Sequence, residues 1–144
     1  MRVLVIHGPN LNLLGEREPE IYGSKSLADI DAEIAQTAHA LGIEVTCAQY
    51  SSEGDIVDAL HAARTGADVV LLNPGAYTHY SHAIADAVAA IRVPVIEVHL
   101  SNIAAREEFR AHSVVARVAR GTVAGFGADS YVAALHIAAK IPIK

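Results

Sequence analysis

The chain has 144 residues, of which 52% are hydrophobic and 19% are charged. This balance provides for a core in one domain of ordinary size and argues against intrinsic disorder. The formal net charge of −5 argues against a general binder of nucleic acids or anionic membranes, because the overall field would not attract either partner.

Short β-branched runs alternate with segments of helical periodicity. Strands are predicted at Val3–Ile6, Ile43–Ala48, Val69–Leu72, Val95–Val98 and Val114–Val118. Helices are predicted from apolar residues at helical spacing: Leu27, Ile30, Ile34, Ala38 and Leu41, with Ser26 as N-cap and Gly42 as the stop; Ile56, Leu60 and Ala63; Ile84, Val88 and Ile91; and Val132, Leu135 and Ala139. This order predicts an α/β fold, with a doubly wound parallel sheet of five strands.

Polar residues, glycine and proline are concentrated after the ends of three predicted strands. These segments are His7–Gly23, Asn73–Tyr80 and His99–Arg110. Doubly wound sheets bind ligands outside the carboxyl ends of their strands. The first segment is much longer than a strand-to-helix connection requires, which is typical of a lid or a binding loop.

The first of these segments offers two kinds of side chain. Asn10 and Asn12 carry amides near the strand end, while Arg17 and Tyr22 lie on the part most free to move. The alternative interpretation is structural, with the asparagines forming turns and Tyr22 anchoring the loop. The segment lacks the glycine patterns of phosphate-binding loops.

The second segment begins with Asn73, whose amide could meet a ligand carboxylate or hydroxyl at the strand end. His79 could donate to a ligand or cap the helix that follows, and His82 is expected on the helix surface. On these residues alone, a structural role for His79 is slightly favoured.

In the third segment Glu97 and His99 are two positions apart on a strand, so they point to the same face. A carboxylate beside an imidazole orients it and favours its protonated, acidic form. Ser101 and Asn102 are expected to start a helix, whose first N–H groups would form an anion site. Arg106 and Arg110 would then share one helix face, where a common anionic ligand or a partner chain could offset their repulsion; a solvated face with a Glu107–Arg110 pair is the alternative.

The single cysteine, Cys47, excludes an internal disulfide and is interpreted as a small buried hydrophobe in a strand. The apolar run at the start of the chain is too short for a signal peptide, and no stretch approaches the ~18 apolar residues of a membrane span. We therefore expect a cytoplasmic protein.

Five blocks together carry a family resemblance. They read His7-Gly8-Pro9-Asn10-Leu11-Asn12-Leu13-Leu14-Gly15, Arg17-Glu18-Pro19-x-x-Tyr22-Gly23, Asn73-Pro74-Gly75-x-x-Thr78-His79, Glu97-Val98-His99-Leu100-Ser101-Asn102 and Arg106-Glu107-x-Phe109-Arg110. They resemble the signature blocks of type II 3-dehydroquinate dehydratases. The resemblance implies a flavodoxin-like, three-layer α/β/α fold, one catalytic domain over residues 1–144 with a lid at about 16–24, a dodecamer built as a tetramer of trimers, and no metal or cofactor.

The same resemblance implies a hydro-lyase that converts 3-dehydroquinate to 3-dehydroshikimate through an enolate, in the shikimate pathway. Tyr22 resembles the base, Arg17 the cation beside it, His99 the acid and Glu97 its orienter. A phenol is mostly protonated at neutral pH, so a tyrosine base requires such a cation. Asn10 resembles the residue that positions a water near the enolate oxygen. The implied substrate contacts are Asn73, Leu100 and Ser101 at the carboxylate, His79 and Arg110 at ring hydroxyls, and Asp86 from a neighbouring subunit.

Two alternatives remain at this stage. A non-enzymatic flavodoxin-like sensory or binding module fits the expected fold, although the chain has His7-Gly8 and Asn73 where a receiver needs acidic residues. A lyase for another hydroxy-keto acid fits both the fold and the polar strand ends.

Overall fold

The computed structural model describes residues 1–143 and contains five strands and five α-helices among them. The strands are β1 (Arg2–His7), β2 (Glu44–Gln49), β3 (Val69–Asn73), β4 (Val95–His99) and β5 (Gly121–Ala124). The helices are α1 (Pro19–Tyr22), α2 (Leu27–Ala40), α3 (Glu53–Gly66), α4 (His82–Ala90) and α5 (Asp129–Ala138). The first four strands lie within one residue of their predicted bounds, because β-branched apolar runs set them. No helix in this part of the chain is both long and apolar enough to pass through a membrane.

All five strands are parallel and lie in the order β2-β1-β3-β4-β5. This is the flavodoxin-like order, and it confirms the predicted doubly wound sheet. The strand order reverses between β1 and β3, where folds of this kind bind ligands. At that point His7 and Asn73, the last residues of the two strands, stand opposite each other in register.

Two apolar clusters cover the two faces of the sheet. One joins Val3, Val5 and Leu71 to α2 and α5, and the other joins Ile6, Val70 and Leu72 to α3 and α4. Every residue of β3 and β4 is buried. Each large apolar side chain removed from water in this way contributes about 1.5–3 kcal/mol. The arrangement confirms the three layers α/β/α.

The predicted boundaries of α2 are confirmed. The Ser26 hydroxyl accepts a hydrogen bond from the Asp29 backbone N–H at 3.1 Å, and the Asp29 carboxylate accepts from the Ser26 N–H at 3.0 Å. This capping box satisfies two N–H groups that the first helical turn leaves unpaired. Gly42 follows the helix in the left-handed conformation, with φ of 68°, which glycine adopts at little cost.

The prediction of the fifth strand at Val114–Val118 is wrong. Val115 is fully buried, but Val118 is 37% exposed and the backbone turns there. The Ser113 hydroxyl accepts from the Ala116 N–H at 2.9 Å, and the Val118 N–H donates to the Val115 carbonyl at 3.0 Å. The true β5 contains Gly121 and Thr122 and lies at the sheet edge, where its weak apolar pattern gives little signal.

The predicted inner face of α5 is also shifted. Val132 is half-buried and Ala139 is exposed, whereas the buried face consists of Ser130, Tyr131, Ala134, Leu135 and Ala138. Tyr131 points inward because its hydroxyl finds polar partners beneath the helix, a contact that apolar periodicity does not report.

Candidate active site

A cavity of about 550 Å³ opens beside the carboxyl end of β4. Its lining combines residues 21–25 and Ile30, residues 100–102, residues 105–106, and residues 125–129. Three of the predicted site residues, Tyr22, Leu100 and Ser101, therefore line one cavity. The segment after β5, which includes Gly125 and Phe126, also lines it and was not predicted as part of the site.

The short helix α1 brings Tyr22 to this cavity. Glu18 precedes it with a left-handed φ of 34°, and Pro19 occupies the first turn, where its missing N–H costs nothing. Gly23 ends the helix with a φ of 86° and donates its N–H to the Pro19 carbonyl at 2.8 Å. The predicted loop at residues 16–24 therefore contains one helical turn that sets the direction of Tyr22.

Two arginines contact the Tyr22 hydroxyl. Arg17 Nη2 donates at 3.3 Å and Arg106 Nη1 at 2.7 Å, while both guanidinium carbons lie about 5 Å from the ring centre (4.5 and 5.1 Å). Arg106 is the more sheltered, with 11% of its side chain exposed against 28% for Arg17. The Tyr22 oxygen therefore accepts hydrogen bonds from two guanidinium groups. The contact of Arg17 with Tyr22 was predicted. Arg106 was expected only to share an anionic ligand or a partner chain with Arg110, so its contact with Tyr22 was not predicted.

Glu97 and His99 form the buried pair that their spacing predicts. His99 Nε2 lies 2.6 Å from Glu97 Oε1, and the same oxygen accepts from the Ser113 hydroxyl at 2.8 Å and from the Thr78 hydroxyl. Burial by itself would raise the pKa of Glu97, but these hydrogen bonds and the adjacent imidazole outweigh it and lower the pKa. An ionised Glu97 accepts a hydrogen bond from Nε2–H, so Nδ1 of His99 is the nitrogen left for a ligand.

The predicted helix after β4 is wrong in form. Asn102 caps only a single 3-10 turn, Ile103–Ala105, by accepting from the Ala104 N–H at 3.2 Å. Arg106 follows in an extended conformation and a second 3-10 turn, Glu108–Arg110, begins after it. Arg106 and Arg110 therefore do not share a helix face, since the break after Ala105 turns Arg106 towards Tyr22.

The predicted Glu107–Arg110 pair is present. Glu107 Oε2 lies 3.0 Å from Arg110 Nε and 3.8 Å from Arg106 Nε, so one carboxylate offsets the repulsion between the two cations. The Arg110 N–H is not aligned with that oxygen, and the buried Nε has no hydrogen bond to any residue from 1 to 143. Arg110 Nε is therefore paired with Glu107 by charge, without an aligned hydrogen bond to it.

His79 does not cap the helix that follows it. Ser81 fulfils that role by accepting from the Ile84 N–H at 3.1 Å. The His79 Nδ1 instead donates to the His112 carbonyl at 2.8 Å, and its ring meets Phe109 edge-on at 6.0 Å. Partial burial lowers the pKa of His79, which favours a neutral imidazole with Nε2 free of that bond.

The remaining predicted residues lie at other points of the carboxyl edge or away from it. Asn73 ends β3 and is 3% exposed; Asn10 adopts a left-handed φ of 68°, and its carbonyl accepts from the Leu13 N–H at 3.1 Å. The backbone of Asn10 thus forms a turn, while the role of its side chain stays a prediction. Asp86 and His82 are exposed on α4, and Asp86 is not among the residues that line the cavity.

One group of potential metal ligands occurs within residues 1–143, and it consists of His7, Asp31 and Cys47. Both ring nitrogens of His7 already have partners, Asp31 and Tyr131. Burial and the neighbouring Asp31 carboxylate raise the pKa of the half-buried Cys47 thiol to about 12, so the thiolate that metals prefer is disfavoured. These side chains are satisfied by hydrogen bonding, and Cys47 packs against the core much as predicted.

Fold and site together define a flavodoxin-like α/β protein with a tyrosine–arginine cluster and a buried histidine–glutamate pair at the carboxyl edge of its sheet. The chain belongs to the class II dehydroquinase family, whose profile, described as "Dehydroquinase class II", matches residues 1–139.

Similar proteins carry consistent names. The chain is 55% identical over 141 residues to the 3-dehydroquinate dehydratase of Pelotomaculum thermopropionicum, covering 98% of each chain. It is 56% identical over 136 residues to the enzyme of the same name from Geotalea daltonii, covering 94% of each. The crystal structure of the type II dehydroquinase from Propionibacterium acnes superimposes with a TM-score of 0.94 at 45% identity, covering 97% of each chain.

Proposed function

We propose that this protein is a 3-dehydroquinate dehydratase, a hydro-lyase that converts 3-dehydroquinate to 3-dehydroshikimate in the shikimate pathway. The observation that carries the proposal is the Tyr22 hydroxyl held by two guanidinium groups, 2.7 and 3.3 Å away. Removal of a proton beside a ketone requires a positioned base, and a tyrosine base requires cations beside its oxygen. Family membership supports the choice of substrate.

The reaction would begin at Tyr22. Its phenolate takes the proton beside the ketone, the C–H electrons form the enolate, and a water held by Asn10 stabilises the enolate oxygen. The enolate then expels the hydroxyl group at the next carbon, which His99 protonates through Nδ1 so that it leaves as water. Glu97 accepts the hydrogen bond from Nε2 and stabilises the imidazolium that donates this proton.

The other polar groups would hold the substrate. Asn73 and the backbone N–H groups of Leu100 and Ser101 bind its carboxylate. His79 Nε2 and the Arg110 guanidinium, both at the same edge, bind ring hydroxyls. This division is supported by the chemistry of each donor, since carboxylates accept N–H bonds and hydroxyls both donate and accept.

Assembly and lid movement are also part of the proposal. Residues 16–24 close over the bound substrate and bring Arg17 and Tyr22 to it together. Asp86, exposed on α4, reaches the site of a neighbouring subunit within trimers that form a dodecamer. The enzyme requires no metal or organic cofactor, and we place it in the cytoplasm.

The decisive experiment is turnover of 3-dehydroquinate, followed by the ultraviolet absorbance of the conjugated product. The Tyr22→Phe variant, which retains the ring, is the matched control for contaminating activity. Activity in the wild type that disappears in the control supports the proposal. If neither protein shows turnover, assays of other hydroxy-keto acids distinguish a different lyase from a non-enzymatic sensory or binding module.

A further inference from the structure

A series of hydrogen-bonded side chains connects Asp31 on α2 to Asn73 at the end of β3. His7 Nε2 lies 2.8 Å from Asp31 Oδ1, His7 Nδ1 lies 2.9 Å from the Tyr131 hydroxyl, and Asn73 Nδ2 donates to that hydroxyl at 3.1 Å. His7, Tyr131 and Asn73 are 0%, 1% and 3% exposed. Such buried polar groups are costly unless every partner is satisfied.

The bonds in this series have one consistent direction. Asn73 Oδ1 accepts from the Gly75 N–H at 3.1 Å, so Nδ2 is the amide atom that faces Tyr131. The Tyr131 oxygen accepts from Nδ2, and its own proton goes to the acceptor within reach, His7 Nδ1. Burial raises the pKa of Tyr131, although the Asn73 bond opposes this, so the phenol keeps that proton.

The direction continues to the surface. With Nδ1 accepting, His7 carries its proton on Nε2 and donates it to Asp31. Burial works to raise the pKa of Asp31, but the hydrogen bonds from His7 and Cys47 act against this and the pKa is lowered, so the carboxylate is ionised at neutral pH. Each group in the series therefore specifies the donor or acceptor role of the next.

The series ends at the position where the strand order reverses. His7 and Asn73 are paired in register at the carboxyl ends of β1 and β3, and Tyr131 approaches them from α5, its ring edge-on to His7 at 5.2 Å. Asn73 Nδ2 has two hydrogens, and among residues 1–143 only one of them is donated, to the Tyr131 hydroxyl. The other is available at the strand edge.

We propose that Asp31, His7 and Tyr131 are positioning residues, which hold the Asn73 amide with its free N–H towards the carboxylate of the substrate. This inference rests on the proposed function, in which Asn73 binds that carboxylate. None of the three is proposed to touch the substrate. Their loss should therefore weaken binding and spare the chemical step, since the carboxylate is held equally before and during reaction.

Tyr131→Phe tests the central bond. The variant keeps the ring packing and removes the hydroxyl, so the Asn73 amide loses one of its two anchors. We expect KM for 3-dehydroquinate to rise about 5- to 50-fold, the scale of one hydrogen bond to a buried polar group, with kcat within about 3-fold of the wild type. Val132→Ala loosens α5 without removing any of the hydrogen-bonded side chains. It is the control and should leave KM unchanged.

A double-variant cycle separates positioning from general loosening. If Tyr131 acts through Asn73, Tyr131→Phe should change KM by less than about 2-fold in the Asn73→Ala background. An equal increase in both backgrounds overturns the proposal, as does an unchanged KM in folded Tyr131→Phe.

Asp31→Ala keeps the test decisive should Tyr131→Phe fail to fold. Asp31 is 36% exposed in its side chain, so this variant leaves the core intact, and Gln36→Ala on the exposed side of α2 is its control. We expect a smaller rise in KM with kcat retained. A KM equal to that of Gln36→Ala overturns the proposal. Wild-type turnover is measured first, because its absence rejects the proposed function itself, whereas an active wild type with unaffected variants rejects only the positioning role.

Discussion

Arg106 donates a 2.7 Å hydrogen bond from Nη1 to the hydroxyl of Tyr22, although 84 positions separate the two residues. Arg17 reaches the same hydroxyl from only five positions away, at 3.3 Å. Tyr22 thus has one cation on its own segment, residues 16–24, and another on the sheltered segment after β4. A guanidinium keeps its charge throughout the working pH range, so both contacts to Tyr22 persist across it.

Tyr22→Phe should abolish turnover while the protein remains folded, because the substitution removes the oxygen and keeps the ring. Exchange of the substrate proton beside the ketone into heavy water isolates the step. We expect that exchange to fall with turnover. If the proton still exchanges at the wild-type rate, Tyr22 is not the base, and the role of the 16–24 segment as a lid must be withdrawn with it.

The two arginines should differ in effect. Arg106→Ala removes the shorter and more buried contact, so we expect it to reduce kcat by about 10²–10³-fold, the scale for one preorganised donor. Arg17→Ala should cause a smaller loss. In both variants the activity should require a more alkaline pH, because the phenolate is less stabilised. Turnover measured across a range of pH tests this shift, and Arg64→Ala on α3 is the matched surface control. Identical profiles for all three variants would contradict the assignment.

His99→Ala should lose about 10²–10⁴-fold in kcat, the usual contribution of one positioned acid. Binding of the product, 3-dehydroshikimate, should be much less affected, because the carboxylate contacts are made elsewhere. Equilibrium titration with the product provides that comparison. A near-normal turnover number would leave His99 with only a structural role.

Glu97→Gln should change the pH dependence of stability. The folded-state pKa of Glu97 is lowered, so its ionised form stabilises the fold above the ordinary carboxyl pKa of about 4.3, and this contribution is lost as pH falls through the lower folded value. We expect the variant to be less stable by about 1–3 kcal/mol at neutral pH. The difference should shrink in acid. Urea unfolding at several pH values tests this, and a pH-independent difference would show that lost packing, not ionisation, is responsible.

Assembly should be necessary for full activity. If Asp86 completes the site of a neighbouring subunit, a form dissociated to monomers should lose activity, and Asp86→Ala should weaken substrate binding without changing assembly. Light scattering coupled to the turnover assay measures both properties. A fully active monomer would eliminate this role of Asp86.

Much of the fold was predictable from local patterns. Apolar β-branched runs such as Val69–Leu72 define buried parallel strands, and Ser26 and Gly42 define the ends of α2, because these signals depend on residues close in sequence. The Glu97–His99 pair was predictable for the same reason, since strand geometry alone puts alternate side chains on one face. The family resemblance added the roles of Tyr22 and Arg17, which no local rule supplies.

The tertiary structure decided what depends on distant partners. Val115 is buried in a turn and Gly121 lies in a strand, because sheet pairing with β4 and side-chain bonds to Ser113 outweigh local propensity. Arg106 turns towards Tyr22 only because the chain after β4 breaks its helix at Ala105. The connection of Tyr131 to Asn73, 58 positions apart, exists only where α5 packs under the ends of β1 and β3. Periodicity identifies buried positions, but long-range contacts determine which polar groups meet there.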